Sequence, residues 1–378
     1  AQTVRVEDNR ITAVEAGYRD GQSGDTLVDL RSATCMPGLM DMHVHLVLEV
    51  SPRSQVEIFT LDGTDYAIRA VANAEKTLMA GFTLVRDLGD RSYGATIALR
   101  DAIDAGIVRG PRILSAGKSI STTGGHADLT NGRQRDLSFD LGPQGGVVNG
   151  PLEAREAVRQ RYKNGADLIK ITATGGVLSV AKSGQNPQFM MDELEAVIAT
   201  ARDYGMKVAA HAHGNEGMYR AVQAGIDSIE HGTFMDERTM RLMKEKGTWY
   251  VPTITAGKWV AEKSEIEGFF PELVRPKAAT IGPLIQETFS RAYRMGVPIA
   301  FGTDTGVSAH GDNAREFELM VEAGMPALET IRAATLYGAR LAGVEADLGS
   351  LRAGKLADIV AVPGDPREDI TLMSRVSF

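Results

Sequence analysis

One stretch decides the predicted fold: Met36-Pro37-Gly38-Leu39-Met40-Asp41-Met42-His43-Val44-His45-Leu46. Pro37-Gly38 indicates a turn, and the apolar residues that follow predict a buried strand. Because successive side chains of a strand point to opposite faces, His43 and His45 share one face. Burying an unpaired polar group costs about 1–3 kcal/mol, and one bound metal ion would offset that cost for both imidazoles. The alternative is a solvated edge strand whose two histidines have no shared role.

The remaining histidines are placed in a similar way. The chain has seven histidines, and most of them end a short apolar run just before a glycine-containing turn. His211 and His213 end the run Val208-Ala209-Ala210-His211-Ala212-His213-Gly214, and His231 ends the run Ile226-Asp227-Ser228-Ile229-Glu230-His231-Gly232. Such positions indicate the C-terminal ends of strands, which is where α/β barrels carry their chemistry.

Composition and charge narrow the class of protein. The chain has 378 residues, of which 43% are hydrophobic and 24% charged, as expected of a globular protein with a large core. The net charge of −8 and the lack of a basic run argue against nucleic acid as a partner. The single cysteine, Cys35, excludes an internal disulfide and a thiolate zinc site. Any metal must therefore be bound by His, Asp, Glu or a modified Lys.

The sequence gives a weaker prediction of location and partners. No apolar stretch reaches the roughly 18 residues of a membrane span. No basic segment near Ala1 indicates a signal peptide, so a cytoplasmic location is expected, although a signal that had been removed would leave the same sequence. The expected partner is a small-molecule substrate, with neither nucleic acid nor membrane, and we expect a homo-oligomer.

Strand-like and helix-like patterns alternate from residue 37 onward. The apolar strand candidates are 39–46, 82–87, 112–117, 167–172, 207–213, 227–231, 248–252 and 298–304. The clearest helical patterns are 65–80, 191–204, 236–246, 279–295 and 326–342, with a further helix opening at Pro151. This alternation predicts an α/β fold of the (β/α)8 TIM-barrel type. The alternative is a doubly wound open sheet, but no G-x-G-x-x-G motif follows the first strand.

The two ends of the chain differ from its middle. Residues 1–36 and 345–378 have strand-like patterns, which predict a small β-sandwich domain built from both ends beside a barrel of residues 37–344. Long loops, which are usually functional in compact domains, are predicted at 118–150, 173–189 and 254–276.

Two charged residues stand out within or at the end of apolar strands. Lys170 lies in the middle of Asp167-Leu168-Ile169-Lys170-Ile171-Thr172, where a charged side chain is costly. Its amine could reach the rim or pair with a carboxylate. A neutral buried amine could instead add carbon dioxide, and the resulting carbamate has two oxygens that can bridge two cations. Asp304 ends the eighth strand, where the alternative role is that of a turn or helix cap.

These residues carry a resemblance to a known family. The order of His43, His45, Lys170, His211, His231 and Asp304 resembles the ligand order of the amidohydrolase superfamily. The stretches that resemble its imidazolonepropionase-related branch, and within it the Xaa-Pro dipeptidases, are Lys170-Ile171-Thr172-Ala173-Thr174-Gly175-Gly176-Val177, His211-Ala212-His213-Gly214, Ile229-Glu230-His231-Gly232-Thr233 and Gly302-Thr303-Asp304. The resemblance spans nearly the whole chain, except that the chain begins late, as if a first β-strand of the small domain were missing.

The resemblance implies a binuclear metal site. His43, His45 and Asp304 would hold the first divalent cation, and His211 and His231 the second, both expected to be Zn²⁺. Carboxylated Lys170 would bridge the two cations. Asp304 would also serve as the catalytic acid and base, since it can reach both the nucleophile and the leaving nitrogen.

Three further side chains have expected roles near the substrate. The resemblance implies that His126, in Thr123-Gly124-Gly125-His126, polarises the scissile carbonyl and stabilises the oxyanion; the alternative is an exposed loop histidine. His213 competes with His211 as a metal ligand, and we expect it instead to contact the free carboxylate of the substrate. Tyr219 is a weaker candidate for the same contact. His310, after the eighth strand, could lie at the rim or in the pocket.

The expected function is hydrolysis of an amide bond. The resemblance implies a metal-dependent dipeptidase that cleaves Xaa-Pro dipeptides or N-acyl amino acids and releases the C-terminal amino acid. Alternatives within enzymes are ring-amide hydrolysis of the imidazolonepropionase type, and hydrolysis of other N-acyl amino acids, either ochratoxin-like or Arg/Lys carboxypeptidase-like. A barrel that has lost catalysis and serves in assembly is a third possibility, but such proteins lose ligands first and none of the six is missing.

Overall fold

The computed structural model describes residues 1–92 and 94–378. Its strands are β1 (Gln2–Glu7), β2 (Arg10–Ala16), β3 (Ala33–Pro37), β4 (Leu39–Val44), β5 (Phe82–Asp87), β6 (Arg112–Ser115), β7 (Ile169–Thr172), β8 (Val208–Ala212), β9 (Ser228–His231), β10 (Trp249–Val251) and β11 (Ile359–Pro363).

Helices alternate with these strands along the middle of the chain. They are α1 (Ser54–Thr60), α2 (Gly63–Met79), α3 (Ala95–Asp104), α4 (Gly142–Gly145), α5 (Pro151–Lys163), α6 (Met191–Asp203), α7 (Asn215–Ala224), α8 (Glu237–Lys246), α9 (Ile254–Ser264), α10 (Arg275–Met295), α11 (Arg315–Glu322), α12 (Ala327–Arg332) and α13 (Gly338–Ala342). A π-helical turn at Ala333–Tyr337 joins the last two. Among the described helices, none is both long and apolar enough to cross a bilayer.

Parallel strands form the barrel. The strands β4, β5 and β6 form one sheet, and β7, β8, β9 and β10 form another. The two sheets meet where Asp167 N donates to Ser115 O (2.8 Å). On the other side, residues 298–305 fill the eighth strand position, since Ala300 N donates to Tyr250 O (3.0 Å) and Asp304 N donates to His43 O (2.7 Å). The predicted TIM-barrel fold is confirmed.

Burial explains why the strands take these positions. Every residue of β4, β7, β8 and β9 is buried, and their apolar side chains belong to the main hydrophobic cores together with the inward faces of the surrounding helices. Strands covered on both sides are expected to be apolar throughout. The polar side chains on these four strands are therefore exceptions, and the site is built from several of them.

The two chain ends pair with each other. The β1–β2 hairpin is antiparallel, and β3 pairs antiparallel with β11 from the far end of the chain. Ile11 N donates to Lys355 O (2.8 Å), and Gly354 N donates to Ile11 O (2.8 Å). These contacts place both ends together beside the barrel, while the domain limits at residues 36 and 345 stay a prediction.

One predicted loop is wrong. Residues 254–276 were expected to be irregular, but they contain α9 and the beginning of α10. The reason is a long-range cap, because the buried Glu316 carboxylate accepts hydrogen bonds from Ile254 N (2.9 Å) and Thr255 N (2.7 Å). A cap supplied from more than 60 residues away leaves no local sequence signal. The loop at 118–150 contains only a short 3₁₀ turn and α4, as its composition predicts.

Candidate metal centre

A cavity of about 200 Å³ opens at the C-terminal ends of the barrel strands. It brings together nearly all of the residues that the sequence singled out. Those in its lining are His43, His45, His126, Lys170, His211, His213, His231 and Asp304. Residues far apart in sequence converge here because parallel strands end at the same face of a barrel.

The first cluster consists of His43, His45 and Asp304, whose candidate ligand atoms lie within 4.8 Å of one another. His45 Nε2 is 3.2 Å from Asp304 Oδ1, and His43 Nε2 is 3.5 Å from it. The opposite ring nitrogens are engaged outside the cluster. His43 Nδ1 donates to Glu230 Oε2 (3.0 Å), and His45 Nδ1 donates to the Gly89 carbonyl (3.1 Å). Both Nε2 atoms therefore present lone pairs to Asp304.

Asp304 Oδ1 is the observation that tests whether this cluster suits a metal. Within the described residues, this oxygen is buried and has no hydrogen-bond donor. It faces the Nε2 atoms of both histidines, and when these rings are neutral three acceptors converge at one point. Leaving a buried acceptor unsatisfied costs about 1–3 kcal/mol. A cation bound by two imidazoles and a carboxylate satisfies all three, and the donor set fits Zn²⁺.

The second cluster consists of His211, His213 and His231. In each ring, one nitrogen is hydrogen-bonded and the other is left for a ligand. The hydrogen bonds join His231 Nδ1 to Thr253 Oγ1 (2.8 Å), His213 Nδ1 to Thr233 Oγ1 (2.9 Å) and His211 Nε2 to the Gly175 carbonyl (3.2 Å). Such outer contacts are how proteins orient metal-binding imidazoles. His213 thus lies in the same group as His211, although the sequence analysis separated the two.

Burial keeps most of these imidazoles in the neutral form that binds metals, whereas the Asp304 carboxylate raises the pKa of His45. Burial lowers the pKa of His43, His211 and His231 well below the usual value for histidine, so they stay neutral. The two clusters adjoin, since the rings of His43 and His231 have centroids 5.0 Å apart. Neutral imidazoles crowded together in the core are costly unless a cation or a donor meets their lone pairs.

Lys170 lies at the junction of the clusters. Its side chain is 3% exposed, and its Nζ is 3.4 Å from His43 Nε2. Burial lowers the pKa of this amine to about 8. This shift increases the share of neutral amine near neutral pH, and the neutral amine is the form that reacts with carbon dioxide.

The backbone is strained at the same place. Among the described residues, the non-glycine residues with positive φ are Asp8, His231 (73°), Thr253 (53°) and Asp304 (58°). Three of these belong to the candidate site. Left-handed conformations at such residues cost about 1–3 kcal/mol each and tend to cluster at functional sites. Here they turn the ends of the strands so that His231 and Asp304 face the cavity.

A buried ion pair beneath the histidines was missed by the sequence analysis. The carboxylate of Glu230, 0% exposed, accepts from His43 and also from Arg86 Nη2 (2.8 Å) and Ser228 Oγ (2.5 Å). A signal did exist, because Phe82-Thr83-Leu84-Val85-Arg86-Asp87 and Ser228-Ile229-Glu230-His231 both place a charge inside a buried strand. Arg86 and Glu230 carry opposite charges inside two barrel strands, so an ion pair between them could have been predicted.

Glu230→Gln is expected to weaken both metal binding and folding. Loss of the carboxylate leaves the Arg86 charge buried without its partner, which costs about 3–5 kcal/mol of the free energy of unfolding. Loss of an outer partner of a ligand typically lowers metal affinity about 10- to 100-fold. Urea unfolding and zinc titration measure the two effects. Glu216→Gln, which removes an exposed pair with Arg220, is the matched control and should cost less than about 1 kcal/mol. Equal effects of the two variants would contradict this role of Glu230.

The remaining predicted residues have different surroundings. His126 lines the cavity, its ring stacks on His211 with centroids 4.2 Å apart, and burial lowers its pKa to about 3. His310 lies outside the lining; its ring contacts the carbonyls of His45 and Leu48 and so supports the first cluster from behind.

Tyr219 does not lie in the cavity. It is on α7, its ring lies under the guanidinium of Arg238 at 3.8 Å, and it is absent from the lining. Its position argues against the predicted contact with a substrate carboxylate. The helical spacing of α7 could not show which of its faces turns toward the barrel mouth.

The rest of the lining divides into two kinds of surface. Arg91 and Lys118 are the cations of the lining besides Lys170, and burial lowers the pKa of Lys118 to about 8. Most of the other lining is apolar and includes Val177, Leu178, Val260, Ile281, Ile285 and Val307. A pocket of this composition suits a small molecule that combines an apolar group with an anionic group.

Comparison with known proteins agrees with the family resemblance that the sequence shows. The model of the amidohydrolase family matches residues 34–376, which is nearly the whole chain. The chain belongs to the amidohydrolase family. The family and the relatives described next identify it as a hydrolase that acts on amide bonds. Its two histidine clusters could hold the divalent metals that amidohydrolases generally use.

Three relatives of this amidohydrolase are informative. A crystal structure of a Xaa-Pro dipeptidase with methionine bound in the active site is 56% identical, covers 98% of this chain and 91% of that one, and superposes with a TM-score of 0.95. A prolidase in complex with N-methylphosphonate-L-proline is 33% identical, with coverage of 99% and 92% and a TM-score of 0.90. The ochratoxinase of Aspergillus niger is 34% identical over 361 residues, which are 90% of this chain and 72% of that protein.

Proposed function

We propose that this amidohydrolase is a binuclear metal-dependent dipeptidase or N-acyl amino acid hydrolase that releases the C-terminal amino acid. The observation that carries the proposal is the pair of adjoining clusters with Lys170 at their junction. One cluster alone would suit a single-metal enzyme. Two clusters need an anion between them, and an unmodified lysine cannot supply it.

The free ring nitrogens of both clusters are the proposed ligand atoms, and the resemblance to amidohydrolases favours His211 and His231 over His213 for the second cation. His43, His45 and Asp304 would hold one cation, His211 and His231 would hold the other, and carboxylated Lys170 would supply the anion between them. The amine of Lys170 forms a bond to the carbon of carbon dioxide and loses a proton, which leaves an anionic carbamate. Zn²⁺ is the proposed metal because imidazole together with carboxylate is the donor set that catalytic zinc sites use.

The residues of the chain would share the catalytic work. Two divalent cations at these positions would polarise the scissile carbonyl and lower the pKa of water. Asp304 takes the proton from the attacking water and delivers it to the leaving nitrogen, which must be protonated to depart as an amine. His126 donates a hydrogen bond to the carbonyl oxygen as negative charge develops on it. The apolar lining excludes bulk water and strengthens these interactions.

The substrate is proposed from the lining and from the relatives together. The apolar wall includes Val260 on α9 and Ile281 and Ile285 on α10, and it suits an apolar side chain or a proline ring. Methionine is bound in one relative and a proline phosphonate in another. We therefore propose Xaa-Pro and Xaa-Met dipeptides, and the corresponding N-acyl amino acids, as the first substrates to test.

The free carboxylate of the substrate needs a partner in the same cavity. His213 was expected to be that partner, but burial lowers its pKa to about 3, so it can offer a hydrogen bond and no charge. Arg91 and Lys118 can offer charge. We therefore assign the charged contact to this pair and leave His213 with an uncharged one.

Lys118→Met should raise KM for free acids about 10- to 100-fold and change KM for the matching carboxamides little. Only the free acid loses a charge-assisted hydrogen bond, which contributes roughly 1.5–3 kcal/mol. Steady-state kinetics on one acid–amide pair measures the difference, with the exposed Lys182→Met as the control. Equal changes for acid and amide would rule out Lys118 as the carboxylate partner.

A substrate screen tests the proposed function itself. The enzyme is loaded with zinc and bicarbonate and offered Xaa-Pro and Xaa-Met dipeptides, N-acyl amino acids, their carboxamides and a cyclic imidazolone. Cleavage of the free acids with release of the C-terminal amino acid is expected. Equal cleavage of the carboxamides, or turnover of the cyclic compound alone, would favour a ring-opening or endo-acting amidase.

A further inference from the structure

The loop after β7 encloses His126. A Cβ atom placed on Gly176 would lie 2.2 Å from both Nδ1 and Cε1 of His126, so only glycine leaves room for the ring at this point. Three residues further on, Ser179 Oγ is 2.5 Å from His126 Nδ1. One face of the ring also stacks on His211. The loop therefore contacts His126 along the edge that carries Nδ1.

The part of this loop around Ser179 is bound by the side chain of Lys277 on α10. Its Nζ donates to the carbonyls of Gly176 (3.2 Å), Ser179 (2.7 Å) and Ala181 (2.9 Å). A lysine ammonium has three protons, and three carbonyls of the same loop accept them. The residues on either side of Ser179 are thus held to a rigid helix, although the loop itself has no regular structure.

The contact with Ser179 bears on which nitrogen of His126 carries the proton. A neutral imidazole has one proton, on either Nδ1 or Nε2. When the Ser179 hydroxyl donates to Nδ1, the proton of the ring must be on Nε2. Nε2 is the only ring nitrogen left for the substrate, and it can stabilise a developing oxyanion only if it carries a proton.

We propose that Ser179 is a positioning residue that fixes His126 in the Nε2–H tautomer, and that Lys277 holds Ser179 in place by binding the loop. The proposal rests on the role given to His126 in the proposed function. It adds two residues that do not contact the reacting atoms. Their effect is on kcat rather than on KM, because they prepare a donor that acts only as charge develops in the transition state.

Kinetics of matched variants is the first test. Ser179→Ala should lower kcat about two- to tenfold, the effect of one neutral hydrogen bond, with KM nearly unchanged. Ser179→Thr keeps the hydroxyl and should restore most of kcat. Lys277→Met should lower kcat similarly, and the double variant should be less impaired than the product of the two, because both act through one loop. In a His126→Asn background, Ser179→Ala should have no further effect.

A spectroscopic readout separates positioning from a merely structural effect. Ring nitrogen chemical shifts of ¹⁵N-histidine-labelled enzyme, with the His126 signals assigned from the His126→Asn spectrum, should show the Nε2–H tautomer. Ser179→Ala should shift those signals toward a mixture of tautomers, and Ser179→Thr should not. A large loss of kcat in His126→Asn with no change in Ser179→Ala would overturn this proposal and leave the proposed function intact. Full activity of His126→Asn would overturn this proposal together with the role given to His126, while the substrate screen decides the proposed function separately.

Discussion

Lys170→Ala is expected to lose bound metal and amide hydrolysis together. Without the carbamate, the two clusters are no longer joined by an anion, and two nearby cations repel each other in a cavity that excludes water. Several kcal/mol of transition-state stabilisation depend on the metals, which corresponds to a fall in kcat/KM of about 10³-fold or more. Elemental analysis after dialysis and a turnover assay on the same samples measure the two losses.

Small carboxylates offer a rescue that a simple folding defect would not show. Acetate or formate can occupy the space left by the lysine side chain and supply the missing anion, so part of both metal content and activity should return with Lys170→Ala. Lys163→Ala, at the exposed end of α5, is the control and should behave like the unmodified enzyme. A Lys170→Ala protein that keeps full metal content and turnover would disprove the bridging role.

Asp304→Asn is expected to lower kcat by about 10²- to 10⁴-fold, the usual contribution of general acid–base catalysis. Burial alone would raise the pKa of the Asp304 carboxyl, but the adjacent imidazoles lower it overall, so the group is ionised and ready to accept a proton. Asparagine keeps the shape and one oxygen ligand but cannot take up or release that proton. Asp304→Asn should therefore lose much more turnover than bound metal, which a turnover assay and elemental analysis of the same sample measure.

The matched control for Asp304 lies a few residues further along the same loop. Asp312 is exposed and does not line the cavity, so Asp312→Asn removes an equal charge from this loop without changing the site. It should leave kcat within about twofold, as expected for a surface substitution. Near-normal turnover of Asp304→Asn would show that another group carries the proton.

Most residues of the site could be predicted from the sequence, because each is recognisable from the few residues around it. A strand of the barrel is a short apolar run, and a histidine, lysine or aspartate within or at the end of such a run is conspicuous. His43, His45, Lys170, His231 and Asp304 were all found in this way, and the structure places them around one cavity. The eight predicted strands were found for the same reason, although the eighth is held only by single bridges and hydrogen bonds.

What the sequence missed depends on contacts between distant residues. The Arg86–Glu230 pair joins two strands that are 144 positions apart, and the Glu316 cap determines that α9 forms where a loop was expected. The hydrogen bond from Lys277 to the Ser179 carbonyl, in the loop after β7, joins residues that are 98 positions apart. The sequence also could not show which face of a helix turns toward the cavity. For this reason Tyr219 was expected near the substrate, although it lies outside the lining. Periodicity shows that a helix forms, but not which side faces the mouth of the barrel.

The proposed mechanism depends on two cations joined by a carboxylated Lys170. The most direct test is a crystal structure of the enzyme loaded with zinc and bicarbonate, with data collected at the zinc absorption edge. Two anomalous peaks about 3.5–4 Å apart, with electron density extending from Lys170 Nζ to both, are predicted. A single peak beside an unmodified lysine would contradict the account.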